Sequence, residues 1–174
     1  MREIKKHIFL ETISYENRHM SPRNLYIIRG EERSLMVDTS NNTERDWTIL
    51  KGMIDALGID CRKLDIFITH EHPDHTGLVP KLQELGARAF MNPDETRSGW
   101  ICCTAIWQMS VPGLKICGSS GITKEETPEV YDTFMEYTTK AYASEKSPLE
   151  LSFIPIHPGD ILSYGGYHFE VKLL

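Results

Sequence analysis

The sequence predicts a mixed α/β (α+β) fold, and three observations carry that prediction. Apolar runs of strand length alternate with stretches of helical periodicity through the first half of the chain. The run Leu64-Asp65-Ile66-Phe67-Ile68-Thr69 enters a polar loop and then a helix-like stretch, after which residues 88–91 again read as strand. That order is a β-α-β unit, which requires parallel strands and a right-handed crossover. The end of the chain returns to short strands, two of them separated by Gly165-Gly166.

The elements follow in order. Residues 4–13 read as a strand. Residues 24–29 and 34–37 flank the polar turn Gly30-Glu31-Glu32, so they form a hairpin whose second strand ends at Asp38. Thr43 with Asp46 three residues later resembles a capping box with Asp in place of Glu. Trp47, Leu50, Ile54 and Leu57 then recur at helical spacing as far as Gly58. After the strand at 64–69, residues 78–85 read as helix with Gly86 as its stop, and 88–91 as the next strand. Between Pro93 and Pro148 the character changes. Helical pieces fall at 95–109 and at 128–144, where Val130, Phe134, Tyr137 and Ala141 share a face, with Pro112, Gly113, Gly118 and Gly121 between them. Strands resume at 151–156, 161–164 and 167–173, and Gly165-Gly166 supplies the positive φ of a two-residue hairpin turn.

Composition narrows the function. A chain of 174 residues suits one domain, 1–174, with a substantial core. The net charge of −6 is spread without a Lys/Arg block, which argues against nucleic acid or an anionic membrane as partner and favours a small-molecule substrate. No apolar stretch has the length of a signal peptide core or a membrane span, so the expected location is cytoplasmic. Cys61, Cys102, Cys103 and Cys117 form no C-x-x-C pair and read as reduced thiols, the vicinal pair as small buried residues.

The chemistry concentrates in Thr69-His70-Glu71-His72-Pro73-Asp74-His75-Thr76-Gly77. Four candidate metal ligands, His70, His72, Asp74 and His75, fall within six residues. Alternate side chains of an extended segment share a face, so His70 and His72 can share an ion, with Glu71 and Pro73 directed away. Pro73 delays the helix, and Asp74 and His75 at its start can turn toward a second position. Imidazole and carboxylate suit one or two Zn ions, with Fe or Mn also compatible. Taken singly the residues read otherwise: Asp74 as a helix N-cap, each His as a surface or hydrogen-bonded residue, Asp38 as a turn residue. Their spacing together is what points to metal.

These residues resemble the metallo-β-lactamase superfamily, whose signature Thr-His-x-His-x-Asp-His-x-Gly matches residues 69–77. Asp38-Thr39 at a strand end, and Pro158-Gly159-Asp160 with Gly165-Gly166 before the last strand, agree with it. The resemblance covers about residues 20–92 and 150–174. It implies an αββα sandwich, of which this chain holds the N-terminal half, a helical insertion at 93–148 and the first strands of the second half. It also implies that His70 and His72 hold a first metal, that Asp74 and His75 hold a second, that Asp74 orients the attacking water, and that Asp38 braces the metal loops. In the family a third metal His, a bridging Asp and a final His follow the strand corresponding to 167–173. This chain ends at Leu174, and neither His157 nor His168 matches those positions, so the domain is expected to be incomplete at its C-terminus and catalysis weakened. An exposed sheet surface then calls for cover, by the rest of a longer enzyme or by a second copy in a homo-oligomer. Trp100, Trp107, Tyr131 and Phe134 are candidates to line the substrate pocket, or else core.

Two functions follow. One is a metal-dependent hydrolase, or the ligand-bearing part of one, in which metal-bound hydroxide attacks an ester, thioester, lactone or amide carbonyl. The alternative is a non-catalytic metal-binding or oligomerising domain. A flavin-coupled di-iron branch of the same superfamily typically carries Glu where this chain has His72, which disfavours it.

Overall fold

A computed structural model of the chain describes residues 1–14, 22–94 and 152–172. The expected helices at 95–109 and 128–144, with Trp100, Trp107, Tyr131, Phe134, Cys102, Cys103 and Cys117, lie outside the described residues. A seven-stranded sheet is the backbone of the fold, with strands in sequence order across it: β1 (Arg2–Lys5), β2 (Ile8–Ile13), β3 (Arg23–Ile28), β4 (Ser34–Val37), β5 (Leu64–Ile68), β6 (Arg88–Met91) and β7 (Phe153–Pro155). β1 to β4 pair antiparallel; β4 to β7 are parallel. The single strand expected over 4–13 is two strands, because the chain reverses at Lys6 and His7, where His7 takes φ 65°. β8 (Ile161–Tyr164) and β9 (Tyr167–Glu170) form a separate antiparallel hairpin, turned by Gly165 (φ 59°) and Gly166 (φ 81°) as their sequence requires.

Helix α1 (Glu44–Ala56) starts at Thr43, whose side chain accepts from the Asp46 amide, and stops at Gly58 (φ 63°), where the Ile59 amide donates to Ile54. The capping box is only half formed. Asp46 is one carbon shorter than Glu; its carboxylate accepts from Ser40 Oγ at 2.6 Å, and the Thr43 amide turns to Asn41 O instead. The helix expected at 78–85 is α3 (Val79–Glu84), ending at Gly86 (φ 95°), and a separate turn, α2 (Pro73–Thr76), precedes it.

Leu50, Met53 and Ile54 of α1, Leu57 at its C-cap, and Leu78, Val79 and Leu82 around α3 pack with Leu25, Ile27, Met36, Ile66, Ala89 and Met91 in one buried cluster. Fully burying such an aliphatic side chain contributes roughly 1.5–3 kcal/mol over leaving it exposed, so this helix-covered face holds most of the core. The opposite face carries Ile28, Leu35 and Asp65, in cross-strand register. The β8–β9 hairpin lies over it: a Cβ at Gly165 would stand 3.0 Å from Ile28, and Tyr164 bonds Asp65. Helix, sheet and second-sheet layers are thus stacked in the order of an αββα sandwich. Among the described residues no helix is long and apolar enough to cross a membrane.

Candidate metal centre

Two adjacent parallel strands deliver the candidate residues. β4 and β5 run in register to Val37 and Phe67. Asp38 and the loop from Thr69 therefore emerge side by side at the carboxyl edge of the sheet, the edge where parallel sheets place ligands. Asp38 takes φ 57°, a left-handed conformation that Asp tolerates better than most residues. Its amide donates to Phe67 O at 2.8 Å. Its carboxylate accepts from the Thr69 amide (2.8 Å) and from Thr69 Oγ1 (2.8 and 3.0 Å). His75 Nδ1 stands 2.8 Å from Asp38 Oδ2, close but off the line of a straight hydrogen bond. Thr39 adds a second brace: its amide and Oγ1 both donate to His75 O at 2.7 Å, and Oγ1 accepts from the Leu78 amide at 3.3 Å. Asp38 thus braces the loop as the resemblance implies.

The loop passes into helix at Pro73, the first residue of α2, where a missing N–H costs nothing. The amides of His75 and Thr76 donate back to His72 O at 2.8 and 3.0 Å. Glu71 between the histidines is buried, 5% exposed. His70 lies at the centre of three imidazoles, its ring centroid 4.7 Å from that of His72 and 3.9 Å from that of His75.

Tautomers follow from donor counting. Thr69 Oγ1 has one proton and gives it to Asp38, so at 3.1 Å from His70 Nδ1 it acts as acceptor and Nδ1 carries the hydrogen. The lone pair of His70 is then on Nε2, which faces His72 Nδ1 at 3.1 Å. Burial, followed by the charges His75 and His72 would carry, pushes the His70 pKa down, which keeps the ring neutral and able to ligate. Asp74 is held the other way: burial would raise its carboxyl, but hydrogen bonding and charge from Arg23 outweigh that and keep it below the usual range.

The donor set fits a metal in pairs. Two nitrogens about 2.05 Å from one tetrahedral ion lie about 3.3 Å apart. His70 Nε2 and His72 Nδ1 come within 0.2 Å of that, so one ion can replace the proton they otherwise share. Asp74 Oδ1 and His75 Nε2, at 4.0 Å, would have to close by about 0.7 Å to share an ion at that angle. Among the described residues no three His, Cys, Asp or Glu side chains form a group that could hold a metal ion. His168 Nδ1 lies 2.8 Å from Ser163 Oγ on the hairpin, and among the described residues neither it nor His157 forms a group with the loop donors that could hold a metal ion.

Sequence reading did not single out Arg23 or Asp65. Arg23, at the start of β3, grips Asp74 through both its carbonyl and its carboxylate. Nothing local marks it, because the pair is 51 residues apart. Asp65 did carry a signal, a charge inside the apolar run Leu64-Asp65-Ile66. It is fully buried and sits at the amino end of β5, away from the candidate metal loop.

Residues 20–159 match the Metallo-beta-lactamase superfamily, and the chain belongs to that superfamily. The fold is similar to that of a metallo-beta-lactamase family protein from Thermus thermophilus (TM-score 0.71, 22% identity, 97% of this chain and 52% of that one). It is also similar to a beta-lactamase domain protein from Burkholderia ambifaria (TM-score 0.67, 20% identity, 97% and 47%). This chain thus spans about half the length of those structures. Among curated proteins, "Putative diflavin flavoprotein A 2" of Synechocystis sp. is 39% identical over 74 residues, 42% of this chain and 12% of that protein. Its namesake in Nostoc sp. is 41% identical over 68 residues, 38% of this chain and 11% of that protein.

Proposed function

We propose that the chain carries the metal loop of a metal-dependent hydrolase acting on a small-molecule ester, thioester, lactone or amide. His70 and His72 would hold one ion, and Asp74 and His75 a second. The observation that carries this is the 3.1 Å facing pair of His70 Nε2 and His72 Nδ1, with the first nitrogen's lone pair freed by Thr69. Zn²⁺ suits these donors, with Fe or Mn also compatible. A bound ion of this kind polarises a carbonyl oxygen and lowers the pKa of water toward 7. The protein supplies the rest. Asp38 and Thr39 fix His75 and the loop, and Asp74, kept ionised beside Arg23, offers Oδ1 as an acceptor that orients the attacking water.

The test combines metal analysis with turnover of a generic thioester and a lactone. The full chain should take up divalent metal and hydrolyse at least one, and His72→Ala should lose both by tenfold or more. Turnover indifferent to His72→Ala, or a metal-loaded chain inert toward both substrates, sinks the proposal; the second result favours a metal-binding or oligomerising domain. A redox centre is the second reading, favoured by the two curated relatives, which are named as putative diflavin flavoproteins. Iron in place of zinc after aerobic purification, with electron uptake from reduced flavin, would select it.

A further inference from the structure

Asp74 lies in α2, a helix of four residues. So short an element satisfies few of its own carbonyls and cannot by itself fix a side chain on it. An Asp in a first helical turn also tends to fold its carboxylate back onto neighbouring amides. Here it does not. Arg23 reaches across from β3, one Nη donating to Asp74 O and the other to Asp74 Oδ2. Gripping main chain and side chain of one residue fixes both the α2 backbone and the Asp74 rotamer. The remaining oxygen, Oδ1, faces His75 Nε2 at 4.0 Å. Arg23 and Asp74 are both largely buried, with side chains 13% and 17% exposed, so water competes weakly for either. Only a planar fork makes both contacts together; a Lys ammonium on its flexible stem makes one at a time.

We propose that Arg23 is a positioning residue for the second metal position, holding Asp74 by Oδ2 so that Oδ1 is presented beside His75 Nε2. A carboxylate shared in this way, one oxygen to an outer partner and one to the ion, is how supporting residues orient metal ligands. The inference rests on the reading of His70, His72, Asp74 and His75 as the metal loop. It adds that the second position depends on a strand residue outside the motif.

The experiment titrates the metal-free full chain with Zn²⁺ against a chromophoric chelator, resolving a tighter and a weaker dissociation constant. Arg23→Ala should weaken one constant by about 10- to 100-fold and leave the other within about threefold. Asp74→Asn should weaken the same constant, and adding Arg23→Ala to it should cost little more, because the two act on one ligand. Arg23→Lys, which keeps the charge and much of the packing, should recover only part of the loss; it also serves as the folded control if Arg23→Ala does not fold. Both constants unchanged in Arg23→Ala, or either tightened, overturns the role of Arg23 alone. Zn²⁺ binding in the wild type that is indifferent to both His72→Ala and Asp74→Asn, or absent altogether, overturns the metal loop and this inference with it.

Discussion

Replacing Asp65 with Asn should destabilise the protein by about 2–3 kcal/mol at neutral pH, and the loss should shrink as the pH falls. Asp65 is 0% exposed and accepts five hydrogen bonds. Two come from Arg33 (Nε 2.9 Å, Nη2 2.7 Å), two from Arg88 (Nε 2.8 Å, Nη2 2.7 Å) and one from Tyr164 Oη (2.7 Å). Burial pushes its carboxyl up, but the bonds from Arg88, Arg33 and Tyr164 outweigh burial and bring the pKa down to about 2. Against an ordinary value of 3.8, and at about 1.36 kcal/mol per pH unit, the ionised form contributes about 2.5 kcal/mol. Removing one partner of a buried pair costs about 3–5 kcal/mol in general. Arg33 and Arg88 are 27% and 46% exposed and can rehydrate, which favours the lower end. The folded pKa is the depressed one, so the contribution is complete above about pH 4 and disappears as pH falls through 4 toward 2. Urea unfolding of wild type and Asp65→Asn at steps from pH 7 to pH 3 measures it. A difference below about 1 kcal/mol at pH 7, or one that stays constant down to pH 3, would refute the account.

Two glycines with nearly equal φ make a second test. Gly58→Ala (φ 63°) meets nothing within 4 Å and should cost about 1–2 kcal/mol for the backbone alone. Gly165→Ala (φ 59°) would place its Cβ 2.8 Å from Arg29 O and 3.0 Å from Ile28, and should cost measurably more in the same unfolding assay. Thr43→Ala removes the cap on Asp46 N and should cost about 1 kcal/mol, with Thr43→Ser recovering most of it. A cost near zero would show that the Ser40–Asp46 bond alone holds the helix start.

What was legible in the sequence is local. The strands, the Thr43 cap, the glycine stops at Gly58 and Gly86 and the Gly165-Gly166 turn each depend on residues a few positions apart, where periodicity and φ preferences operate. The candidate metal loop was legible for the same reason, since its four proposed donors fall within six residues. The contacts that hold these pieces together span 23 to 99 residues: Arg88 and Tyr164 to Asp65, Arg23 to Asp74, Asp38 to Thr69. Only the resemblance anticipated one of them. A buried charge such as Asp65 announces that partners exist, but the sheet register, which sets Asp65 opposite Leu35 and Arg88, identifies Arg88 alone, and Tyr164 comes from the other sheet.

That register also separates two tasks along the parallel strands. β5 carries Asp65 near its start and opens into Thr69 and His70 just past its end, with Leu64 and the run Ile66 to Ile68 making up the rest of the strand. At the start, a carboxylate saturated by five hydrogen bonds ties the main sheet to the β8–β9 hairpin and has no capacity left for a ligand. At the end, Thr69 spends its proton on Asp38 and so leaves His70 Nε2 and His72 Nδ1 facing one another with less than a full set of protons. Polar groups satisfied within the protein hold a fold together; polar groups held in place but incompletely satisfied are what a cation can complete. By that criterion the same strand is structural at one end and, on the proposed reading, leads into the metal-binding loop at the other, so a substitution at Asp65 should move stability without moving metal affinity, while His72→Ala should do the reverse.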